Sequence, residues 1–255
     1  MYIYIYDAIA GKRKYNKILA KMEKKITDLG LNGKIVRLEG INNIEKTIQD
    51  EIKYEANTVV AVGSDQTVHK TLNAVIKERD RNPQKELPVL GVIPLEEKNN
   101  LIAKALGLKT PDQACNALLS RRIEKLGVGK INQDYFLSQL DVIGDYNEIK
   151  IGEEYSIEIQ KPCEISIINL PLSSKLARKI KTNFKDKNLK LYINPRKTPQ
   201  KKQTVNQSIL SLKSLFITDK TQKIVVDNSI EVETEASVSS CDKKLNFIVG
   251  KDRNF

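Results

Sequence analysis

Residues 58–76, TVVAVGSDQTVHKTLNAVI, place an apolar run, a glycine-containing turn and a helical period in immediate succession. Val59, Val60 and Val62 form the continuous apolar run of a strand buried on both faces. Val68, Leu72, Val75 and Ile76 fall at helical spacing. A strand that feeds a helix through Gly63-Ser64-Asp65-Gln66-Thr67 aims unpaired helix N–H groups at whatever lies above the sheet edge, where α/β proteins bind phosphates. The same unit recurs around it. Tyr2–Tyr6 reads as a strand, Asp7–Lys12 as a loop, and Tyr15, Ile18, Leu19, Met22, Ile26 and Leu29 as one face of a helix ended by Gly30. Lys34–Leu38 is a second strand, followed by a helix on Ile44, Ile48 and Ile52 that Asn42 or Asn43 caps. Leu87–Pro94 is a fourth strand, and a further helix carries Leu101, Ile102, Ala105 and Leu106 before Gly107. This alternation predicts a doubly wound parallel sheet, with the loops at 63–67 and 95–99 opening on one carboxyl edge.

From residue 123 the periodicity changes. Ile123–Val128, Tyr135–Ile143, Tyr155–Gln160 and Glu164–Leu170 alternate apolar and polar residues, as antiparallel strands do; Leu189–Ile193, Ile224–Val226, Ile230–Val232 and Leu245–Val249 add more. The expected organisation is an α/β domain over 1–122 and a β-rich domain over 123–255, with the last strand free to belong to either. Residues 196–203, RKTPQKKQ, have the composition of a mobile loop. No apolar run approaches the roughly 18 residues of a membrane span, and Met1–Lys12 lacks the regions of a signal peptide, so a cytoplasmic protein is expected, with a peripheral place at a membrane as the alternative. Cys115, Cys163 and Cys241 are widely spaced and odd in number, arguing against a disulfide framework or a zinc site. His69, early in the third helix, is expected to be partly exposed and could approach a ligand at the loop.

Charge is concentrated. The net charge is +11, and between Lys175 and Lys202 eleven Lys or Arg face one acidic residue, Asp186. Such a cluster attracts an anionic lipid surface or nucleic acid in a salt-dependent way, unless it is only a solvated face. For nucleic acid the stacking residues are few: the chain has no Trp, and the cluster offers only Phe184 and Tyr192.

The order of these loops resembles the diacylglycerol kinase catalytic family, which includes sphingosine kinases and bacterial lipid kinases. VVAVGSDQTVHKTLNAVI resembles the family's strand, Gly-Gly-Asp-Gly-Thr loop and helix. LGVIPLEEKNNLIAKALGL is similar to its strand, Pro-Leu-Gly-Thr-x-Asn loop and helix ending in Ala-Leu-Gly. IEKLGVGKINQDYFL resembles the start of the second domain and KKLNFIVGK the closing strand. The resemblance implies an α/β nucleotide-binding domain of the NAD kinase and diacylglycerol kinase type joined to a β-rich, sandwich-like domain. It also implies phosphorylation of a lipid hydroxyl by ATP with Mg2+. Asp65 and Asp227 would be the catalytic carboxylates, and Asp7, Gly11, Gly63, Ser64, Gln66, Thr67, Glu96, Glu97 and Asn99 would line the nucleotide site.

The loops also depart from the family. Ser64 and Gln66 stand where the family has glycines, Glu96 and Glu97 replace its Gly-Thr pair, Asp7-Ala8 replaces Asn-Pro, and Asp227-Asn228-Ser229 replaces Asp-Gly-Glu. Glycine lets backbone approach phosphate closely, so Ser64 and Gln66 crowd the turn. A carboxylate about 4 Å from a phosphate costs about 1 kcal/mol in water and about 4 kcal/mol near a protein surface. Glu96 and Glu97 could instead serve the helix that begins there, unless a magnesium ion bridges them to phosphate. The expectation is a lipid kinase homologue with impaired or lost phosphorylation that acts as a binding or regulatory module. An active ATP- and Mg2+-dependent lipid kinase is the alternative, and a nucleic-acid-binding protein is third. Partners expected are an anionic membrane surface or lipid at 175–202 and a second copy in a homodimer.

Overall fold

The computed structural model describes residues 1–38, 44–53, 56–96, 100–144, 147–152, 155–159, 162–180, 188–196, 207–218 and 223–255. The chain packs as two units. One comprises Met1–Leu126, Leu172–Ser174 and Lys244–Phe255; the other comprises Gly127–Pro171 and Lys175–Lys243.

In the first unit β1 (Tyr2–Tyr6), β2 (Gly33–Arg37), β3 (Thr58–Gly63) and β4 (Val89–Pro94) form a parallel sheet in the order β2-β1-β3-β4. The chain alternates these strands with α1 (Asn16–Asp28), α2 (Ile44–Lys53), α3 (Asp65–Arg81), α4 (Leu101–Ala105) and α5 (Pro111–Ser120). Every residue of β3 and β4 is buried, which accounts for their unbroken apolar sequence. α1 packs with α5, and α2 with α3. The pattern of the first 107 residues anticipates these elements closely, but α5 was not among the expected helices. Its signal lies in Thr110-Pro111: the Thr110 hydroxyl accepts from the Gln113 amide and proline fills the first turn. The Asn42 and Asn43 caps fall outside the described residues.

Lys244–Phe255, whose assignment the sequence left open, packs in the first unit. Phe247 pairs in parallel with Leu90, and the amides of Gly250 and Asn254 donate to Leu106 and Ala105. Gly107 (φ +77°) and Gly250 make this approach possible, because a Cβ on Gly250 would lie 2.0 Å from the Gly107 carbonyl oxygen.

The second unit is antiparallel. β7 (Gln139–Ile143), β10 (Cys163–Ile168), β11 (Leu189–Pro195), β12 (Ser208–Leu212), β14 (Lys223–Val226) and β15 (Ile230–Glu233) form one sheet in the order β12-β11-β10-β7-β14-β15. β8 (Asn147–Ile151), β9 (Tyr155–Ile159), β13 (Ser214–Ile217) and the first part of β16 (Ala236–Ile248) form another. β5 (Ile123–Ile131) carries the chain into this unit and pairs with β6 (Asp134–Phe136). Phe136, Leu140, Val142, Ile165, Ile167, Leu191, Ile217, Ile224 and Val238 share its core. α6 (Ser174–Ile180) and the strands β8, β12 and β13 were not anticipated, and the single strand expected over Tyr135–Ile143 is two, β6 and β7. The reason for that break is an aspartate, described below. Residues 197–203 of the expected loop lie outside the described residues, as do 181–187 of the basic cluster.

Candidate functional site

Parallel pairing sets the first part of the site. Tyr6 registers with Val62, and the Asp7 amide donates to the Val62 carbonyl at 2.9 Å, so Asp7 emerges beside Gly63. Gly63 adopts φ +154°, and a Cβ there would stand 2.4 Å from Asp7 Cβ. Only glycine lets the ends of β1 and β3 close to this distance.

The result is a carboxylate seated on the loop. Asp7 Oδ2 accepts from Ser64 Oγ at 2.7 Å and from the Thr67 hydroxyl, and Oδ1 accepts from the Ile9 amide at 3.0 Å. Asp7 is buried. Burial pushes its carboxyl upward, but the donors from Thr67, Ile9 and Ser64 outweigh it and hold the group below the ordinary carboxylate value. Asp7, Gly63, Ser64 and Thr67 are therefore one cluster, and donors of the kind that would meet a phosphate meet an internal anion. Gln66 is exposed on the first turn of α3, and Gly11 is exposed at the end of a 3-10 turn over Ala8–Gly11.

Asp65 points elsewhere. It is the first residue of α3 and 1% exposed, and its two oxygens accept from the amides of Leu101 (2.8 Å) and Ile102 (3.0 Å). A carboxylate on the first amides of a helix satisfies donors that have no intrahelical partner and complements the helix dipole. Asp65 thus caps α4. The sequence suggested Glu96 and Glu97 for that role; Glu96 instead pairs with Lys14 at 2.8 Å, and Glu97 and Asn99 lie outside the described residues. Lys14 and Asn100 are the residues of this region that sequence reasoning missed. Asn100, 1% exposed, donates through Nδ2 to the Glu96 carbonyl, while its Oδ1 is a buried acceptor without a hydrogen bond among the described residues. A carbonyl oxygen offers nothing to an anionic phosphate.

Asp227 lies in the second unit, at the turn joining β14 to β15. Asp227 (φ 50°) and Asn228 (φ 56°) occupy the two central positions of a turn closed by the Ser229 amide on the Val226 carbonyl, both in the left-handed region that tight turns between strands use. The Asp227 carboxylate accepts from the Leu137 amide (3.1 Å), the Ser138 amide (2.7 Å) and Ser138 Oγ (2.7 Å), with no exposed surface. These bonds take the Leu137 and Ser138 amides out of strand pairing and divide β6 from β7. His69 is buried, not partly exposed, and its ring Nε2 lies 3.2 Å from Asn73 Nδ2.

The fit to Mg2+ and ATP can be tested on these groups. Asp7 and Asp65 have both carboxylate oxygens engaged by protein donors, and Glu96 is paired with an ammonium. Among the described residues no three His, Cys, Asp or Glu side chains gather as metal ligands. Among the described residues, these carboxylates do not form a ligand set for a nucleotide–metal complex.

The comparisons with known proteins point to the same lineage. A family model described as the diacylglycerol kinase catalytic domain matches residues 1–131. A diacylglycerol kinase of Staphylococcus epidermidis is 24% identical over 135 residues, covering 52% of this chain and 40% of that protein. Sphingosine kinase B of Dictyostelium discoideum is 27% identical over 124 residues, 49% of this chain and 16% of that protein. The chain thus spans less than half the length of the relatives it matches. In fold it is similar to the crystal structure of a diacylglycerol kinase from Bacillus anthracis, with TM-score 0.69, 14% identity and 98% and 97% of the two chains covered. It is also similar to an NAD kinase from Archaeoglobus fulgidus solved with ATP, with TM-score 0.58, 12% identity and 99% and 95% covered. By the match over residues 1–131, supported by the order of its loops, this chain belongs to the diacylglycerol kinase catalytic domain family.

Proposed function

We propose that this chain is a lipid kinase homologue in which ATP-dependent phosphorylation is impaired, retained as a binding or regulatory module. One observation carries the reading: Asp7 occupies the GSDQT loop as an internal anion, with hydroxyl and amide donors turned to it. ATP would have to displace a carboxylate held by three hydrogen bonds and then tolerate its charge. At about 4 Å that repulsion costs about 4 kcal/mol near a protein surface.

The family's residue at this position is asparagine, so Asp7→Asn is the informative variant. The expected result is no thermal shift of the wild-type protein with millimolar ATP and Mg2+, and a shift in Asp7→Asn, at roughly 2–4 °C for each kcal/mol of binding. A wild-type melt that rises with nucleotide, accompanied by phosphate transfer to a lipid alcohol, would establish the active kinase instead.

The basic cluster supports an anionic lipid surface as the partner. On α6 the side chains of Lys175, Arg178 and Lys179 are exposed while Ile180 is buried, leaving a cationic face outward. Binding to anionic vesicles should need no nucleotide and should fall as salt rises; equal binding to any duplex would favour nucleic acid.

A further inference from the structure

The first unit holds a cavity of about 490 Å3 that no residue of the 63–67 loop lines. α1 and α5 form its walls and Leu95, just past β4, closes it below. Ile18, Met22 and Lys25 lie at turn spacing on α1, and Pro111 and Cys115 face them from α5. Met22, Leu95 and Cys115 are buried, whereas Ile18 is 38% exposed, so an apolar floor opens through an apolar lip. Its size and lining are those of a small-molecule site with a few polar groups at one end.

The polar groups are Thr110 and the charged Lys21, Lys25 and Asp112. Lys25 is ion-paired with Asp112, whose carboxyl the Lys25 hydrogen bond holds below its ordinary value. Lys21 makes no ion pair among the described residues. Two ammonium groups against one carboxylate leave the rim with one excess positive charge at the mouth of an apolar slot.

We propose that this cavity binds a single-chain amphiphile with a carboxylate head, of the fatty-acid class. Its acyl chain lies against Ile18, Met22, Leu95 and Cys115, and its head meets Lys21. One excess positive charge suits a monoanion better than the dianion of a phosphate monoester. Burial pushes the Cys115 thiol up, so it alkylates slowly at neutral pH, and an occupant slows it further.

The test is calorimetric titration of the whole protein with dodecanoate below its micelle threshold, beside dodecyltrimethylammonium. The expected result is saturable binding of dodecanoate with one site, at least about tenfold tighter than the cationic amphiphile, weakened roughly tenfold by Lys21→Glu and abolished by Ile18→Trp, which fills the lip. Alkylation of Cys115 in the wild-type protein, read by peptide mass spectrometry against Cys241, provides a measurement that needs no variant, and dodecanoate should protect Cys115 selectively. Absent saturation, equal affinity for both head groups, or unprotected Cys115 at saturating dodecanoate would each overturn the assignment.

Discussion

Asp7 and Asp227 are both buried aspartates at the end of a strand, with both carboxylates satisfied by protein donors, yet they stand in for different things. The donors on Asp7 come largely from the 63–67 loop, some 60 residues away, where Ser64 and Thr67 give hydroxyls. Those on Asp227 are the two consecutive amides of Leu137 and Ser138 together with the Ser138 hydroxyl, and they end one strand and begin another. Asp7 sits where its sheet edge would receive a ligand; Asp227 sits where its sheet would otherwise continue. A buried carboxylate that holds backbone is part of the fold, and one that fills a loop answers donors that the loop would otherwise turn to a ligand.

Substitution should separate the two, beginning with the larger effect. Asp227→Ala strands two buried amides and a hydroxyl, and it places alanine at φ 50°; the expected loss is about 3–4 kcal/mol, read by urea unfolding. If the loss is under about 1 kcal/mol, Asp227 is not the strut described here. Asp65→Ala should cost about 2 kcal/mol, with amide exchange quickening first at Leu101 and Ile102, because it removes the cap of α4. The smallest change should come from Asp7→Asn, about 1 kcal/mol at neutral pH, since the amide keeps one acceptor oxygen and the donors are partly hydroxyls that can turn. Its pH signature is more telling than its size. The folded carboxyl of Asp7 lies below the ordinary value, so its contribution to stability is complete above about pH 4 and is lost as pH falls through the lower folded value. Asp7→Asn should flatten that part of the acid limb, whereas an unchanged limb would place the titrating carboxylates elsewhere.

Much of the first unit was legible because parallel strands buried on both faces write themselves as apolar runs, and Val59–Val62 and Val89–Ile93 do so plainly. The second unit was less so: mostly exposed strands such as Ser208–Leu212 carry a weak pattern, and the division at Leu137–Ser138 depends on a carboxylate about 90 residues away, which no local signal contains. At the site, the sequence identified the loop, the foreign Ser64 and the carboxylates of Glu96 and Glu97. It turned those two to the helix that begins there, because charge is visible in sequence and hydrogen-bond direction is not. That Asp7 turns onto the loop follows from strand register and from the bare Cα of Gly63, and both need coordinates. Asp65 kept its place in the motif while its oxygens went to the helix of the second loop.

The return of Lys244–Phe255 to the first unit has a consequence for the order in which this protein is made. Domains fold as units during synthesis, the N-terminal one ordinarily first. Here the strand beside β4, and the segment that lies against Gly107, are translated only after the second unit has been completed. The half of the molecule that begins first on the ribosome is thus the half that finishes last, and it waits with one edge of β4 open until residue 247 arrives to pair with Leu90.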